Sequence, residues 1–156
     1  AESEAESDPD GEFVATEADF GCLLDWPRVR NMHVTNVRGR QGEALAVAEA
    51  NEAGVEFPLG TIIQLFFGEA SVKRGGGFSP ASNGWEFFEL EATAEGTTIV
   101  ERGVESVKNF ADGNCFSCHV AAAKYDFVCE QDHGCVDLGV TDEQIAALAG
   151  LDPRCR

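Results

Sequence analysis

The chain has 156 residues, of which 44% are hydrophobic and 25% are charged, so it is long enough to bury the core of one domain and is not a wholly disordered protein. Its 28 acidic and 11 basic residues give a formal net charge of −17, which disfavours nucleic-acid binding because phosphate backbones repel an acidic surface. No apolar run approaches the roughly 18 residues that a membrane-spanning helix needs, and we therefore expect one soluble domain.

The N-terminal residues 1–12 differ from the rest of the chain. Six of them are acidic and none has a large apolar side chain, a composition typical of a disordered tail. We interpret this acidic tail as a linker left after cleavage of a signal peptide or a lipid anchor. The predicted globular domain covers residues 13–156.

Two helices are predicted near the N-terminus. Pro27 favours a first helical turn and predicts a short helix over residues 28–32. Residues 42–53 are rich in Ala and Glu, which favour helix, and Gly54 follows as a stop signal.

The middle of the chain predicts antiparallel sheet. Residues 61–67 are β-branched and aromatic, which is typical of a buried strand. Residues 85–90 and 97–102 predict two further strands, joined by a turn at residues 94–96.

The C-terminal part predicts helix again, over residues 112–124. Thr141 and Gln144 have the spacing of a capping box, which opens a further helix that ends at Gly150. The predicted fold class is therefore α+β: a mainly antiparallel sheet with N-terminal helices and a C-terminal helical segment.

The helical segment over residues 112–124 carries the strongest chemical signal, Cys115-x-x-Cys118-His119. This pattern attaches c-type haem. Positions i, i+3 and i+4 share one face of a helix, so both thiols can form thioethers while His119 binds the iron from the same side. The sequence thus predicts one covalent haem c with His119 as the metal ligand.

Two other uses of the cysteines stay open at this point. All six cysteines could form disulfides, as in exported proteins. Alternatively, a zinc ion could take four ligands from a larger set of donors. That set is Cys115, Cys118, His119, Cys129, His133 and Cys135.

If the motif cysteines hold haem, four cysteines remain and can pair in three ways. Cys129 and Cys135 are close in sequence and flank a turn, so we predict a disulfide between them. Cys22 and Cys155 would then join the two ends of the domain. Such cysteine usage indicates a periplasmic or otherwise exported protein, with the acidic tail as a candidate lipid tether.

The axial position opposite His119 has no evident ligand. In small electron-transfer cytochromes a later methionine fills it, but the only methionine here is Met32. We therefore predict an open coordination position, where small molecules bind and react. Met32 and His33 stay as candidate sixth ligands.

Three blocks of sequence resemble the cytochrome P-460 family, which shares its fold with cytochrome c′-beta. The blocks are Phe57-x-x-Gly60-Thr61, the segment Glu69–Lys73 followed by Trp85-x-Phe87-Phe88, and the haem motif followed by Asp126-Phe127-Val128. The resemblance implies a dimeric, mainly antiparallel β domain with a haem on its C-terminal helical segment. It also implies either hydroxylamine oxidation or nitric-oxide binding without turnover.

The resemblance implies roles for single residues. Hydroxylamine-oxidising members carry a lysine crosslinked to the porphyrin; the matching position is Leu65, and Lys73 is the nearest other lysine. The family also places a carboxylate over the iron, and the matching residue is Glu69, a candidate proton acceptor. Surface positions are the plain alternative for Lys73 and Glu69.

Five further side chains are candidates near the haem. Asp126 could accept a hydrogen bond from the second ring nitrogen of His119, or it could cap a local turn. Aromatic residues could line the distal pocket, or they could form plain core. These aromatic candidates are Phe57, Phe66, Phe67 and Phe78.

The sequence therefore predicts an exported monohaem cytochrome that acts on hydroxylamine, nitric oxide or a peroxide at an open haem face. A gas-binding protein without turnover is the first alternative, and an electron carrier is the second. A redox partner protein and a second copy of the chain are the expected protein partners.

Overall fold

The computed structural model describes residues 12–66, 68–75, 77–108, 114–130, 133–135, 139 and 141–155. Within these residues the chain forms one six-stranded antiparallel sheet and three short α-helices, so the predicted α+β class, with sheet predominating, is confirmed. None of the helices in these ranges is long and apolar enough to cross a membrane. The prediction of a disordered tail falls almost wholly outside the described residues.

The sheet has the strand order 1-2-3-4-5-6, so each strand pairs with its neighbour in the chain. The strands are β1 (Arg28–Val29), β2 (Met32–Asn36), β3 (Thr61–Phe66), β4 (Glu69–Lys73), β5 (Trp85–Thr93) and β6 (Gly96–Gly103). The helices are α1 (Gln41–Ala50), α2 (Cys115–His119) and α3 (Asp142–Leu148). Short 3₁₀ helices cover Glu17–Asp19, Leu23–Asp25, Pro80–Ser82, Val120–Tyr125 and Ala149–Leu151.

The prediction of a helix over residues 28–32 is wrong. This segment forms the β1–β2 hairpin, in which Arg28 lies opposite His33 and Arg30 takes a left-handed φ of 55° at the turn. Pairing with β3 buries both faces of β2, and this long-range burial outweighs the local helix signal of Pro27.

Most other predicted elements are confirmed with small shifts. The β5–β6 hairpin turns where predicted, with Thr93 opposite Gly96. Helix α1 ends at Ala50, because Asn51 takes the left-handed conformation that stops a helix. Helix α3 opens on the predicted capping box, in which Thr141 Oγ1 accepts from the backbone N–H of Gln144 at 3.0 Å.

Side chains alternate between the two faces of the sheet, and each face contributes to a separate buried core cluster. One face, here called the helix face, packs against α1 and residues 114–128. The opposite face packs against residues 13–26. The helix face contributes Met32, Val34, Ile63, Trp85 and Phe87 to the core, and the opposite face contributes Ile62, Ala70, Val72, Phe88 and Leu90.

The predicted disulfides are both confirmed. Cys22 bonds to Cys155 across 133 residues of sequence, which joins the N-terminal segment to the C-terminal one. Cys129 bonds to Cys135. The thiols of Cys115 and Cys118 remain unpaired.

His33 makes the stability of this fold depend on pH. Its side chain is 2% exposed on the opposite face of the sheet, and neither ring nitrogen makes a well-formed hydrogen bond within the described residues. Burial lowers the pKa of His33 below its ordinary value; Arg28 lowers it further, while the nearby Leu23 backbone and Asp152 offset the shift only in part.

We expect His33→Leu to make the free energy of unfolding less dependent on pH in the acid range. Below the ordinary pKa of 6.5, the unfolded wild-type chain binds a proton that the folded chain does not, so folding stability falls as the pH falls. The loss approaches about 1.4 kcal/mol per pH unit for one such group. Urea unfolding at several pH values should show a shallower acid slope for the variant and similar stability at about pH 8. Equal acid slopes in wild type and variant would contradict the lowered pKa of His33.

Candidate functional site

A cavity that is open to solvent at its mouth lies between the helix face of the sheet and the segment formed by residues 115–129 and Cys135. Its wall is mostly apolar, as in typical sites for small ligands and cofactors. The lining residues are Met32, Ile63, Leu65, Glu69, Ala70, Ser71, Phe87, Phe88, Cys115, Cys118, His119, Val128, Cys129 and Cys135.

Helix α2 presents the Cys-x-x-Cys-His motif to this cavity. Asn114 caps the helix, since its side-chain oxygen accepts from the backbone N–H of Ser117 at 3.0 Å. The i, i+3, i+4 spacing then places Cys115, Cys118 and His119 on one helical face. All three residues line the cavity, so the predicted juxtaposition is confirmed.

His119 is held in the form that binds a metal ion. Its Nδ1 lies 2.6 Å from the backbone carbonyl oxygen of Phe127, and because a carbonyl can only accept, we assign the ring proton to Nδ1. Burial lowers the pKa of His119, and the Phe127 hydrogen bond opposes this only in part. The imidazole is therefore neutral near pH 7, with its Nε2 lone pair available as a ligand.

The two free thiols differ in their surroundings. Cys115 is buried, and burial together with the nearby negative charge of Glu69 raises the pKa of its thiol to about 12. Cys118 is half-buried on the same helical face.

The alternative zinc site loses several of its ligands. Cys129 and Cys135 are oxidised to a disulfide. His133 lies elsewhere, because its ring stacks on Tyr125 at 3.7 Å and its Nδ1 is 2.6 Å from the Val128 carbonyl oxygen. Elsewhere in the described residues, one group of potential metal ligands is Cys22, Asp152 and Cys155, but its two sulfurs are also joined in a disulfide.

The donor set fits haem c. Covalent attachment of haem needs two free thiols and one neutral imidazole on the same side of the porphyrin. The cavity offers this set on α2, whereas the other four cysteines are paired. An apolar wall of this kind also suits the body of a porphyrin.

Strand β4 brings Glu69 to the cavity, as predicted. Glu69 lines the cavity, and it acts electrostatically on Cys115. Ser71, two residues further along β4, lines the cavity as well. Sequence reasoning missed Ser71, although the period-2 alternation of a strand that carries Glu69 would have placed both residues on one face.

Lys73 does not line the cavity. Its Nζ lies 2.7 Å from each carboxylate oxygen of Asp126 and 5.2 Å from the centre of the Trp85 ring. Burial lowers the pKa of Lys73, and Asp126 opposes that shift. Leu65, by contrast, does line the cavity.

Asp126 forms hydrogen bonds to neighbouring segments and none to His119. Besides Lys73, its carboxylate accepts from the Asn83 side chain at 2.7 Å and from the Phe57 backbone N–H at 2.8 Å. We expected Asp126 to accept the hydrogen bond from His119, but the acceptor is the backbone carbonyl of Phe127. A backbone group has no signature in the sequence, so side-chain patterns could not have found it.

The aromatic candidates lie outside the cavity wall or outside the described atoms. Phe57 packs against Trp85, with ring centres 5.9 Å apart, and Phe78 lies beneath the guanidinium of Arg74 at 4.1 Å. Phe67 and the side chain of Phe66 lie outside the described part of the chain. Two other aromatics, Phe87 and Phe88, line the cavity instead.

The candidate sixth ligands lie away from His119. His33 points to the opposite face of the sheet, next to Arg28 and Gln64 in register. Met32 lines the cavity on β2, but the His119 ring packs at 4.8 Å on Phe87 of β5. Three strand spacings of about 4.8 Å put β2 about 14 Å from β5, so Met32 occupies the far end of the cavity.

Comparison with protein-family models, curated proteins and solved structures finds no significant match to this chain. The resemblance to the cytochrome P-460 family therefore rests on the three sequence blocks alone. The geometry of the cavity supports a function independently of that resemblance.

We expect Asp126→Asn to destabilise the fold strongly. The side chains of Lys73 and Asp126 are 4% and 0% exposed, and removing one charge from a buried pair costs about 3–5 kcal/mol because the other charge is left without a partner. Urea unfolding measures this loss.

The matched control for this measurement is Glu43→Gln. Glu43 pairs with Arg40 at the surface, where the two side chains are 51% and 40% exposed, and such pairs contribute at most about 1 kcal/mol. A loss of the same size in both variants would contradict the buried character of the Lys73–Asp126 pair.

Proposed function

We propose that the protein binds one haem c, covalently through Cys115 and Cys118 and axially through His119, and acts on small nitrogen compounds such as hydroxylamine and nitric oxide. One observation carries the proposal: the only unpaired thiols of the described residues and a neutral imidazole share one helical face on an apolar cavity. When bound, haem supplies a redox-active iron with an open coordination position.

Other residues of the chain orient His119, exclude water and accept a proton. The Phe127 carbonyl fixes the tautomer and orientation of His119, which makes the imidazole a stronger ligand. Ile63, Leu65 and Phe87 form an apolar wall that excludes water from a small ligand. Glu69 is the carboxylate placed to accept a proton from a substrate that carries N–H or O–H groups.

A second candidate function, nitric-oxide binding without turnover, is favoured by the position of the lysines. The resemblance assigns hydroxylamine oxidation to proteins with a lysine crosslinked to the porphyrin. Leu65 lines the cavity at the matching position, and Lys73 is engaged with Asp126. Within the described residues, the cavity wall therefore contains no lysine, which supports binding over crosslink-dependent oxidation.

The electron-carrier alternative has less support. A carrier of the usual kind needs a methionine or histidine on the iron opposite His119. Met32 lies at the far end of the cavity and His33 lies on the other face of the sheet. An open position for small ligands fits this arrangement better.

Export and protein partners complete the proposal. Two disulfides are compatible with an oxidising compartment, and we propose the periplasm or the cell exterior. The resemblance alone supports a homodimer. Turnover would also require a redox partner protein, and the formal charge of −17 favours a basic one.

The first test is the intact mass of the purified, denatured protein. We expect the mass of the polypeptide with two disulfides plus one haem, and a digest should place the haem on the peptide that contains Cys115 and Cys118. The Cys115→Ser and Cys118→Ser variants should each retain at most one thioether, whereas Ser117→Ala, between them, should keep both. A wild-type protein made in a cell competent for haem attachment but without covalent haem would refute the proposal.

The second test separates turnover from binding. We expect Glu69→Gln to lower hydroxylamine oxidation with an artificial electron acceptor by about 100-fold or more, because general bases contribute at least this factor, while nitric-oxide binding persists. Glu91→Gln, an exposed acid on β5, is the matched control and should leave the rate unchanged. A haem-loaded wild type that binds nitric oxide but does not oxidise hydroxylamine would establish the second candidate function instead.

A further inference from the structure

The Asp126 carboxylate connects three segments at one end of the sheet. It accepts from the Lys73 ammonium at the end of β4, which lies 2.7 Å from each carboxylate oxygen. It also accepts from the Asn83 side chain before β5 at 2.7 Å and from the Phe57 backbone N–H before β3 at 2.8 Å. The Lys73 and Asp126 side chains are 4% and 0% exposed, so a shift of the carboxylate would leave a buried charge without its partner.

The backbone of the turn at Asp126 and Phe127 is left-handed, with φ of 57° and 62°. This conformation is unfavourable for residues other than glycine, and it persists where the surrounding structure fixes the backbone. Inside the turn, the Phe127 N–H donates to the Ala122 carbonyl at 2.9 Å, and the Val128 N–H donates to the Tyr125 carbonyl at 3.2 Å. These two bonds close the turn locally, whereas the Asp126 side chain attaches it to the sheet.

The same turn directs a backbone carbonyl at His119. The Phe127 carbonyl oxygen lies 2.6 Å from His119 Nδ1, and the direction of a carbonyl is set by the backbone dihedral angles beside it. Phe87 on β5 also packs against the His119 ring, with ring centres 4.8 Å apart, but this apolar contact does not select a tautomer. The hydrogen bond of His119 therefore depends on the conformation of the turn that Asp126 anchors.

We propose that the buried Lys73–Asp126 ion pair positions the axial ligand: by fixing the turn, it keeps His119 Nδ1–H in a strong hydrogen bond and increases the electron donation of Nε2 to the iron. Hydrogen-bond partners of a metal-bound histidine orient its ring and raise its basicity. Lys73 and Asp126 are positioning residues, since neither lines the cavity and their ion pair reaches His119 only through the turn. This inference rests on the proposed haem c site.

The test compares haem-loaded wild type with Asp126→Asn and with the double variant Lys73→Met, Asp126→Asn. The double variant leaves no charge buried alone, so it keeps more of its stability than the single one. In both variants the iron–His119 stretching frequency of the reduced protein, measured by resonance Raman spectroscopy, should fall because the imidazole becomes a weaker ligand. The ratio of reduced to oxidised protein at a fixed potential should rise about tenfold, which is an increase of about 59 mV in the reduction potential.

The matched control is Asp152→Asn. Asp152 pairs with Arg154 at 2.8 Å, and the two side chains are 0% and 3% exposed, so this variant also removes one charge from a buried pair. The pair lies beside the Cys22–Cys155 disulfide. Asp152→Asn should therefore destabilise the fold but leave the stretching frequency and the potential at their wild-type values. Equal shifts in Asp126→Asn and Asp152→Asn would show general destabilisation and overturn the positioning role.

Haem-loaded Asp126 variants with the wild-type frequency and potential would also overturn the positioning role, while leaving the proposed function intact. Absence of covalent haem from wild type would instead remove the proposed function itself. In that case a long-range ¹H–¹⁵N spectrum of the purified protein still tests the role of the ion pair. We expect the His119 proton on Nδ1 in wild type and in Asp152→Asn, and a mixture of tautomers in the double variant; an unchanged tautomer there would refute the inference.

Discussion

The hydrogen bond between His119 and the Phe127 carbonyl is the interaction on which the candidate site depends. It fixes the tautomer in which Nε2 carries the lone pair that can bind a metal ion. The carbonyl points to His119 because Asp126 and Phe127 take left-handed backbone conformations, with φ of 57° and 62°, which cost non-glycine residues about 1–2 kcal/mol each. The buried ion pair of Asp126 with Lys73 holds this turn in place, so two residues that do not line the cavity position the His119 ring.

Strand β4 contributes residues both to the cavity wall and to the turn at Asp126. Glu69, Ser71 and Lys73 share the helix face of β4, yet they meet different surroundings along the strand. The first two line the cavity, and the third reaches Asp126 beneath the Trp85 ring. One strand therefore supplies two polar groups of the cavity wall and the cation that pairs with Asp126 in the turn next to His119. Because Lys73 is paired with Asp126, it does not line the cavity.

The pairing state of the sulfur atoms limits which cysteines could hold a cofactor. Four of the six cysteines are oxidised, which removes them as zinc ligands and leaves the two thiols of the motif. The Cys129–Cys135 disulfide also lines the cavity, and its sulfurs lie 3.8 and 3.5 Å from the Cys118 carbonyl oxygen. It thus packs against the same turn of α2 that presents His119, and it braces the loop that follows the motif.

Features that depend on local spacing could be predicted without the structure. The placement of Cys115, Cys118 and His119 on one face follows from helical periodicity, and the β5–β6 hairpin and the capping box of α3 follow from short-range turn and cap chemistry. The disulfide pairing followed from the short spacing of Cys129 and Cys135 once Cys115 and Cys118 were set aside. Other features depend on contacts between distant parts of the chain: pairing with β3 made residues 28–36 a hairpin despite Pro27, and strand register placed Ser71 beside Phe87. The partner of His119 is a backbone carbonyl whose direction is set by a buried ion pair between residues 53 positions apart, and no local pattern encodes contacts of that range.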